Sequence, residues 1–505
     1  RCRDTGCRKP DGGHTMILSP ELMMPATALL PVLGALLIAI TGRFPNIREG
    51  VTLLTGVATF LMVLQFLPGV LNGEVYEYTF AEPVPGITLA FSLEPLGMLF
   101  ALIASFLWIV TSVYAIGYMR GANEQNQTRF YICFALAIAF TLALAFSANL
   151  LTLFVFYEML TLSTYPLVAH KGTDEARRGA RVYLGILLTT SIAFFLPAII
   201  WTYSVAGTLD FQAGGVFPDD VNPLVAGALL LLFFYGAGKA ALMPFHRWLP
   251  SAMVAPTPVS ALLHAVAVVK AGVFTLLKIA VYIFGADLLL DLDAREILLY
   301  IAGASILLAS LVAMTKDNLK ARLAYSTVSQ LGYVTLGALL ATQAGIEGSA
   351  MQIATHAFGK ITLFFCAGAI YVATSKTEIS DMKGLGRAMP ITMLAFFIGS
   401  LSIIGLPPAA GTWSKWYLML GTLEAGYLVL MGVLMISSLL NIAYLLPIPV
   451  QGFFGGENKD QPVEIKEAPW PCLVGIGITA VGCLVLFICP EKLYELAALL
   501  YEGAS

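Results

Sequence analysis

Leu229-Leu-Leu-Leu-Phe-Phe-Tyr-Gly-Ala-Gly-Lys239-Ala-Ala-Leu-Met-Pro244 places an ammonium group and a helix breaker together at the end of an apolar run. A charge at bilayer depth costs about 2.5–3.5 kcal/mol on insertion scales. Proline removes a backbone donor and clashes with the preceding turn. Irregular backbone at that depth is tolerated only where protein or a polar cavity surrounds it. The stretch therefore reads as a broken membrane helix inside a protein. The same combination recurs at Gly405-Leu-Pro-Pro-Ala-Ala-Gly411, four residues before Lys415. Glu158, Lys270, Lys278 and Lys360 also fall within apolar stretches, and six such charges read as a charge-bearing path for protons.

Composition sets the class. The chain has 505 residues, of which 58% are hydrophobic and 12% charged, and its mean hydropathy is +0.83. So few charges cannot cover a soluble domain. An all-α polytopic membrane protein is expected, with about fourteen spans. They fall near 22–42, 50–72, 93–117, 129–147, 149–169, 180–203, 222–245, 257–284, 296–314, 323–341, 349–372, 390–421, 426–449 and 470–489. The net charge of −3 gives no reason to expect a nucleic-acid partner. Seven cysteines without a CxxC pair indicate neither a disulfide frame nor a metal cluster. With no P-loop, GxGxxG, HExxH or GxSxG in context, no cofactor is expected. Energy must then come from an ion gradient or from partner subunits.

Residues 1–15 are polar and read as an extension ahead of a start at Met16. Next come three helices over 16–128. The two lysine-bearing breaks lie five spans apart, which predicts two inverted five-helix repeats with two discontinuous helices, at 129–284 and 296–449; two ordinary proline kinks are the alternative. Residues 450–505 hold the last span and a tail. Alternate loops carry the basic residues, among them Arg43, Arg120, Lys171, Lys316, Lys383 and Lys466, while the intervening loops are acidic or neutral. Basic loops should face the cytoplasm of a cell (inner) membrane, with both termini on the outer side. Arg295 breaks the alternation.

Glu158 needs a partner or a proton, and Lys239 is its natural partner; the pair is either a switch or a static structural bridge. His264 and Lys270, six apart, do not stack on one helix face but can line one cavity. His356 and Lys360, four apart, share a face. Lys415 is the last buried charge and the expected exit. Lys278 either joins the path or snorkels to the interface. Tyr325, Ser326, Ser329, Gln330 and Tyr333 put polar groups into the tenth span, where they either line a water path or bond neighbouring helices.

Together, Glu158 in its apolar run, Gly238-Lys239-Ala-Ala-Leu-Met-Pro-Phe-His-Arg-Trp-Leu-Pro250, Ala255-Pro-Thr-Pro-Val-Ser-Ala-Leu-Leu-His264 and Gly405-Leu-Pro-Pro408 resemble the antiporter-like membrane subunits. These are the proton-pumping membrane subunits of complex I, the Mrp-type Na⁺/H⁺ antiporters and related membrane hydrogenases. Glu175-Ala-Arg-Arg-Gly-Ala-Arg-Val-Tyr-Leu184 and a length near 490 residues from Met16 look most like the D subunit of Mrp antiporters. The resemblance implies a fourteen-helix fold with inverted repeats and a Glu158–Lys239 ion pair. It also implies a hydrophilic axis through His264, Lys270, Lys360 and Lys415. Lys415 stands where some complex I subunits have glutamate. The most distal complex I subunit carries a long lateral helix, whereas this chain ends soon after Cys489. The implied function is proton translocation within an Mrp-type cation/proton antiporter. Its partners would be other membrane subunits, lipid, protons and Na⁺. The alternatives are a non-conducting scaffold and a redox-driven pump subunit.

Overall fold

The computed structural model describes residues 20–455 and 464–502. The extension at 1–15, with Cys2 and Cys7, and Lys459 lie outside the described residues. Helices dominate, and among the described residues eleven are long and apolar enough to cross a membrane. Pro223–Gly236 and Pro390–Ile404 are shorter apolar helices, and each ends at one of the two expected breaks. Leu319–Leu340 has 22 residues but begins with Lys320 and Arg322.

Thr257–Phe284 is the hub. Its most apolar window is entirely buried inside the protein, against 33% for Pro45–Leu71, Leu428–Phe454 and Trp470–Ile488. A helix apolar all round belongs in the interior of a bundle. The peripheral helices instead expose leucines and isoleucines such as Leu54, Ile436, Leu439 and Val481, as lipid-facing or subunit-facing surfaces do. Gln343–Thr374, 32 residues long, packs beside the hub.

Both breaks occur where the sequence places them. The first helix stops at Gly236, a short 3₁₀ turn carries Gly238–Ala240, and Ala241 takes a left-handed φ of 53°. The second helix stops at Gly405, at φ 88°, and Gly411–Glu424 resumes it. Polar backbone freed in a membrane interior needs partners. Here Trp248 Nε1 donates to Gly238 O at 3.0 Å, and Ala410 N donates to Cys483 O at 2.9 Å. Gly272 of the hub lies against the first break: a Cβ there would sit 2.2 Å from Ala240 N.

The acidic loop after the second span folds as an antiparallel hairpin, Tyr76–Val84 with Ile87–Leu93. Helical periodicity gave no sign of it. Its second strand hydrogen-bonds the 146–148 turn, through Ser92 N to Phe146 O and Ala148 N to Ala90 O. That turn meets the 207–222 loop (Phe211 N to Ala148 O, 3.1 Å), and the loop ties onto the hub's end (Val216 N to Ile283 O, 3.0 Å). We call this the hairpin face. On the opposite, basic face, Glu49 pairs with Arg120 at 2.5 Å and with Arg48 at 3.3 Å. Arg295, the exception in the loop pattern, turns inward: it is 8% exposed and donates to Leu339 O at 3.3 Å.

Overpacking a close-fitted interior costs on the order of 1–3 kcal/mol, so Gly272→Ala should lower the thermal unfolding midpoint of the detergent-solubilised protein by several degrees. Gly185→Ala, with nothing within 4 Å of the added methyl, should leave it unchanged or slightly raised. Equal midpoints for the two variants would contradict this packing.

Candidate functional site: a file of buried lysines

Five lysines lie deep in the protein: Lys239, Lys270 and Lys360 are 0% exposed, Lys278 1% and Lys415 5%. Each ammonium needs acceptors to offset its lost hydration.

Lys239 finds them on the helix Leu150–Val168. Its Nζ donates to Tyr157 O at 2.8 Å and to Thr161 Oγ1 at 2.6 Å, and lies 3.1 Å from the centre of the Tyr157 ring. Its backbone N–H donates to Tyr157 Oη at 3.0 Å. Glu158, the expected partner, is not within ion-pair distance of Lys239 among the described residues. Both its carboxylate oxygens are buried without a hydrogen-bond partner. The reason is angular: successive helix residues point about 100° apart, so the helix that offers Tyr157 and Thr161 to Lys239 does not bring Glu158 to it at the same level.

Lys270, on the hub, contacts His356 Nδ1 through its Nζ. The expected His356–Lys360 partnership is thus replaced by a bond across helices. Lys360 donates instead to Leu323 O at 3.1 Å. His264 is fully buried, and both its ring nitrogens lack partners; its ring lies 4.8 Å from that of Phe364. Lys415 donates to Ile404 O at 3.0 Å, the carbonyl at the second break, and to Ser438 Oγ at 3.1 Å. The Tyr333 ring lies 4.6 Å from its Nζ.

A thread of polar side chains lies between the sequence neighbours of His356 and Lys415. Thr355, next to His356, bonds Ser414 at 3.0 Å, and Ser414 precedes Lys415. Ser414 also donates to Gln352 at 2.6 Å, and Gln352 donates to Gln330 at 2.8 Å. Ser329 bonds Ser310 at 2.9 Å and Ser437 at 3.3 Å; Tyr444 donates to Ser326 at 2.8 Å; Tyr333 donates to Leu434 O at 3.1 Å. These polar groups of the tenth span therefore bond neighbouring helices. Tyr325 departs from the group, lying by the basic face near Lys316 and His246.

Lys278 does not snorkel. Glu94 Oε1 meets its Nζ at 2.5 Å, and Ser147 O accepts from it at 2.8 Å. Glu94 is hidden from sequence reasoning because it caps a helix behind a hairpin that no pattern announced. Thr161 and Tyr157 were legible only as neighbours of Glu158. Ser437, Ser438 and Asn441, polar residues at helical spacing in an apolar span, were a signal that could have been read.

Toward the basic face opens a cavity of about 340 Å³ lined by Lys171, Lys320, Lys376, Tyr118, Tyr371 and Glu175, among others. Lys320 Nζ donates to Ala255 O at 2.5 Å. Burial holds the nearby Glu124 carboxyl, in the loop after Pro95–Gly121, above its usual range, and Lys171 and Lys320 oppose that shift.

A family profile described as "NADH:quinone oxidoreductase/Mrp antiporter, TM" matches residues 147–441. The NADH-quinone oxidoreductase N subunit of Desulforudis audaxviator is 33% identical over 84% of this chain and 86% of its own length. A probable K⁺/H⁺ antiporter A/B subunit of Rhizobium meliloti is 30% identical over 95% of this chain, which spans 48% of that protein. A chain of the Mrp complex from Dietzia sp. superposes with a TM-score of 0.85 at 22% identity, covering 96% of this chain and 97% of the other. The match spans both broken helices and every buried lysine described above: this chain belongs to the NADH:quinone oxidoreductase/Mrp antiporter transmembrane family.

Proposed function

We propose that this chain is a proton-translocating subunit of a multi-subunit Mrp-type monovalent cation/proton antiporter. The observation that carries the reading is the file itself: Lys239, Lys270, Lys360 and Lys415 lie in the interior, each held only by neutral acceptors. A lysine so held can take up or release a proton without breaking an ion pair. The proton passes from Lys239 through His264, Lys270, His356 and Lys360 to Lys415. Glu158 acts on Lys239 by approaching it in one state and leaving it to Tyr157 and Thr161 in another.

Fourteen spans, with two inverted repeats over 129–284 and 296–449, give this path its frame. The support is the pair of lysine-bearing breaks, together with Pro223–Gly236, Pro390–Ile404 and Leu319–Leu340 beside the eleven long apolar helices. The basic face looks into the cytoplasm, and both termini lie on the outer side of the cell membrane. Partners are the other membrane subunits of the assembly, with Na⁺ or K⁺ as the exchanged cation.

A second reading has an observation of its own. The 33% identity to a component of NADH-quinone oxidoreductase fits a pump in which redox chemistry elsewhere drives the same path. A redox partner that co-purifies with the chain, and proton movement that ignores Na⁺ and K⁺ gradients, would select it over antiport.

In vesicles holding the complete complex, Lys239→Ala or Lys360→Ala should lower cation-coupled proton movement by about 10²-fold, the scale of a lost proton-transfer group. Unchanged transport in the assembled complex would leave only a scaffold role. Thr161→Val removes one hydrogen bond to a charged group, a change of about 1.5–3 kcal/mol. It should alter the transport rate by at least several-fold while the complex still assembles, and a rate identical to the parent's would separate Lys239 from the transport step.

A further inference from the structure

Lys270, Phe274 and Lys278 stand at i, i+4 and i+8 on the hub, one above another along a single ridge. The first belongs to the lysine file. The last is built differently. It alone among the five buried lysines has a carboxylate partner, Glu94 at 2.5 Å, and its remaining surface is closed by Ser147 O and by the Phe211 and Phe274 rings, 4.3 and 5.5 Å away. Phe274 fills the turn between the two lysines, its ring centre 5.0 Å from that of Phe100, and both phenylalanines are fully buried. Beyond Lys278 the path to solvent is short: the Glu94 side chain is 15% exposed, and the hairpin, the 146–149 turn and the 207–222 loop form a thin cover over it.

Lys270 is thus separated from the hairpin face by one aromatic layer and one ion pair. A proton on Lys270 that crossed them would leave directly, bypassing Lys360 and Lys415, and its passage would be uncoupled from the second half. An apolar constriction blocks such passage by excluding water. An ion pair blocks it because both partners are already committed to each other, at a depth where neither can separate cheaply.

We propose that Glu94, Lys278 and Phe274 are route-determining residues that seal the first half against the hairpin face, so that a proton reaching Lys270 has only the lateral route through Lys360 to Lys415. The proposal rests on the relay reading above. It assigns Lys278 a role outside the relay, and it predicts the opposite of a structural salt bridge: cutting the seal raises proton permeability.

The test uses vesicles holding the complete complex, with a pH gradient imposed in choline buffer free of Na⁺ and K⁺ and its decay followed by an internal dye. Glu94→Gln and Phe274→Ala should dissipate the gradient several-fold faster than the parent; Phe274→Leu, a milder cut, serves if Phe274→Ala does not assemble. Lys278→Arg, which keeps the charge, should stay tight. Adding Lys270→Ala to either leaky variant should return the rate to that of the parent. Assembled variants that hold the gradient as well as the parent overturn the proposal, and so does a leak that survives Lys270→Ala. Failure of the relay itself is read separately, from cation-coupled transport in Lys239→Ala and Lys360→Ala, which do not touch the seal.

Discussion

An ammonium group inside an apolar body must be given lone pairs, and this requirement organises the molecule. The penalty for stripping water from such an ion is several kcal/mol even after relaxation. Four of the five deep lysines meet it with a main-chain carbonyl: Tyr157 O for Lys239, Ser147 O for Lys278, Leu323 O for Lys360 and Ile404 O for Lys415. A carbonyl has two lone pairs and a helix uses only one, so even an intact helix holds acceptors in reserve. At Tyr157 and Leu323 the carbonyl also takes a bond from the threonine four residues on, Thr161 and Thr327. At Ile404 the helix ends, and the freed carbonyl turns to Lys415. The broken helix at 404–411 and the buried charge at 415 are therefore two sides of one arrangement: the break supplies the acceptor that the charge requires.

The same economy explains how the hub is tied to its long neighbour. The hub and Gln343–Thr374 are both largely enclosed, and the bond between Lys270 and His356 joins them. Next to His356 in the chain, Thr355 begins a polar thread through Ser414 and Gln352. Thr355, Ser414, Gln352 and Gln330 bond one to the next, which is how a polar network becomes specific in its geometry in a low-dielectric interior. On the proposed path, His264 and Glu158 have no hydrogen-bond partner for their buried side-chain polar atoms among the described residues, and His356 Nε2 has none either. Buried unsatisfied groups are rare in a settled interior.

The sequence announced the class, the two breaks and the depth of the lysines, because each rests on a strong local rule: a charge and a proline in an apolar run have few explanations. It announced the partners less well. Spacing along one helix put His356 with Lys360, yet Lys270 on a neighbouring helix claims His356, since side chains facing across an interface come closer than those stacked along one. A carboxylate beside a lysine-rich path suggested a Glu158–Lys239 bridge, but the helix turns Tyr157 and Thr161 inward at that level instead. Glu94 was invisible for a different reason. It sits at the junction of a β-hairpin and a helix, and a strand that exposes Phe80 and Val84 beside Glu77 and Glu82 carries no clean alternation to read. The backbone carbonyls that hold the lysines have no sequence signature at all.

The choice of partner also divides the lysines by role. A neutral acceptor, whether a carbonyl, a hydroxyl or an imidazole, leaves a lysine's charge uncompensated, so proton gain and loss alter the field felt by the next lysine in the file. A carboxylate cancels that charge locally and withdraws the group from its neighbours. Lys278 has such a carboxylate and its four companions do not, although Lys270 and Lys278 are two turns apart on one helix and equally buried. Depth and residue type are the same along that ridge; only the partner differs. The hub therefore carries one lysine exposed to its neighbours' charges and another removed from them, with Phe274 between, and the position of Glu94 at the mouth of the adjacent helix decides which is which.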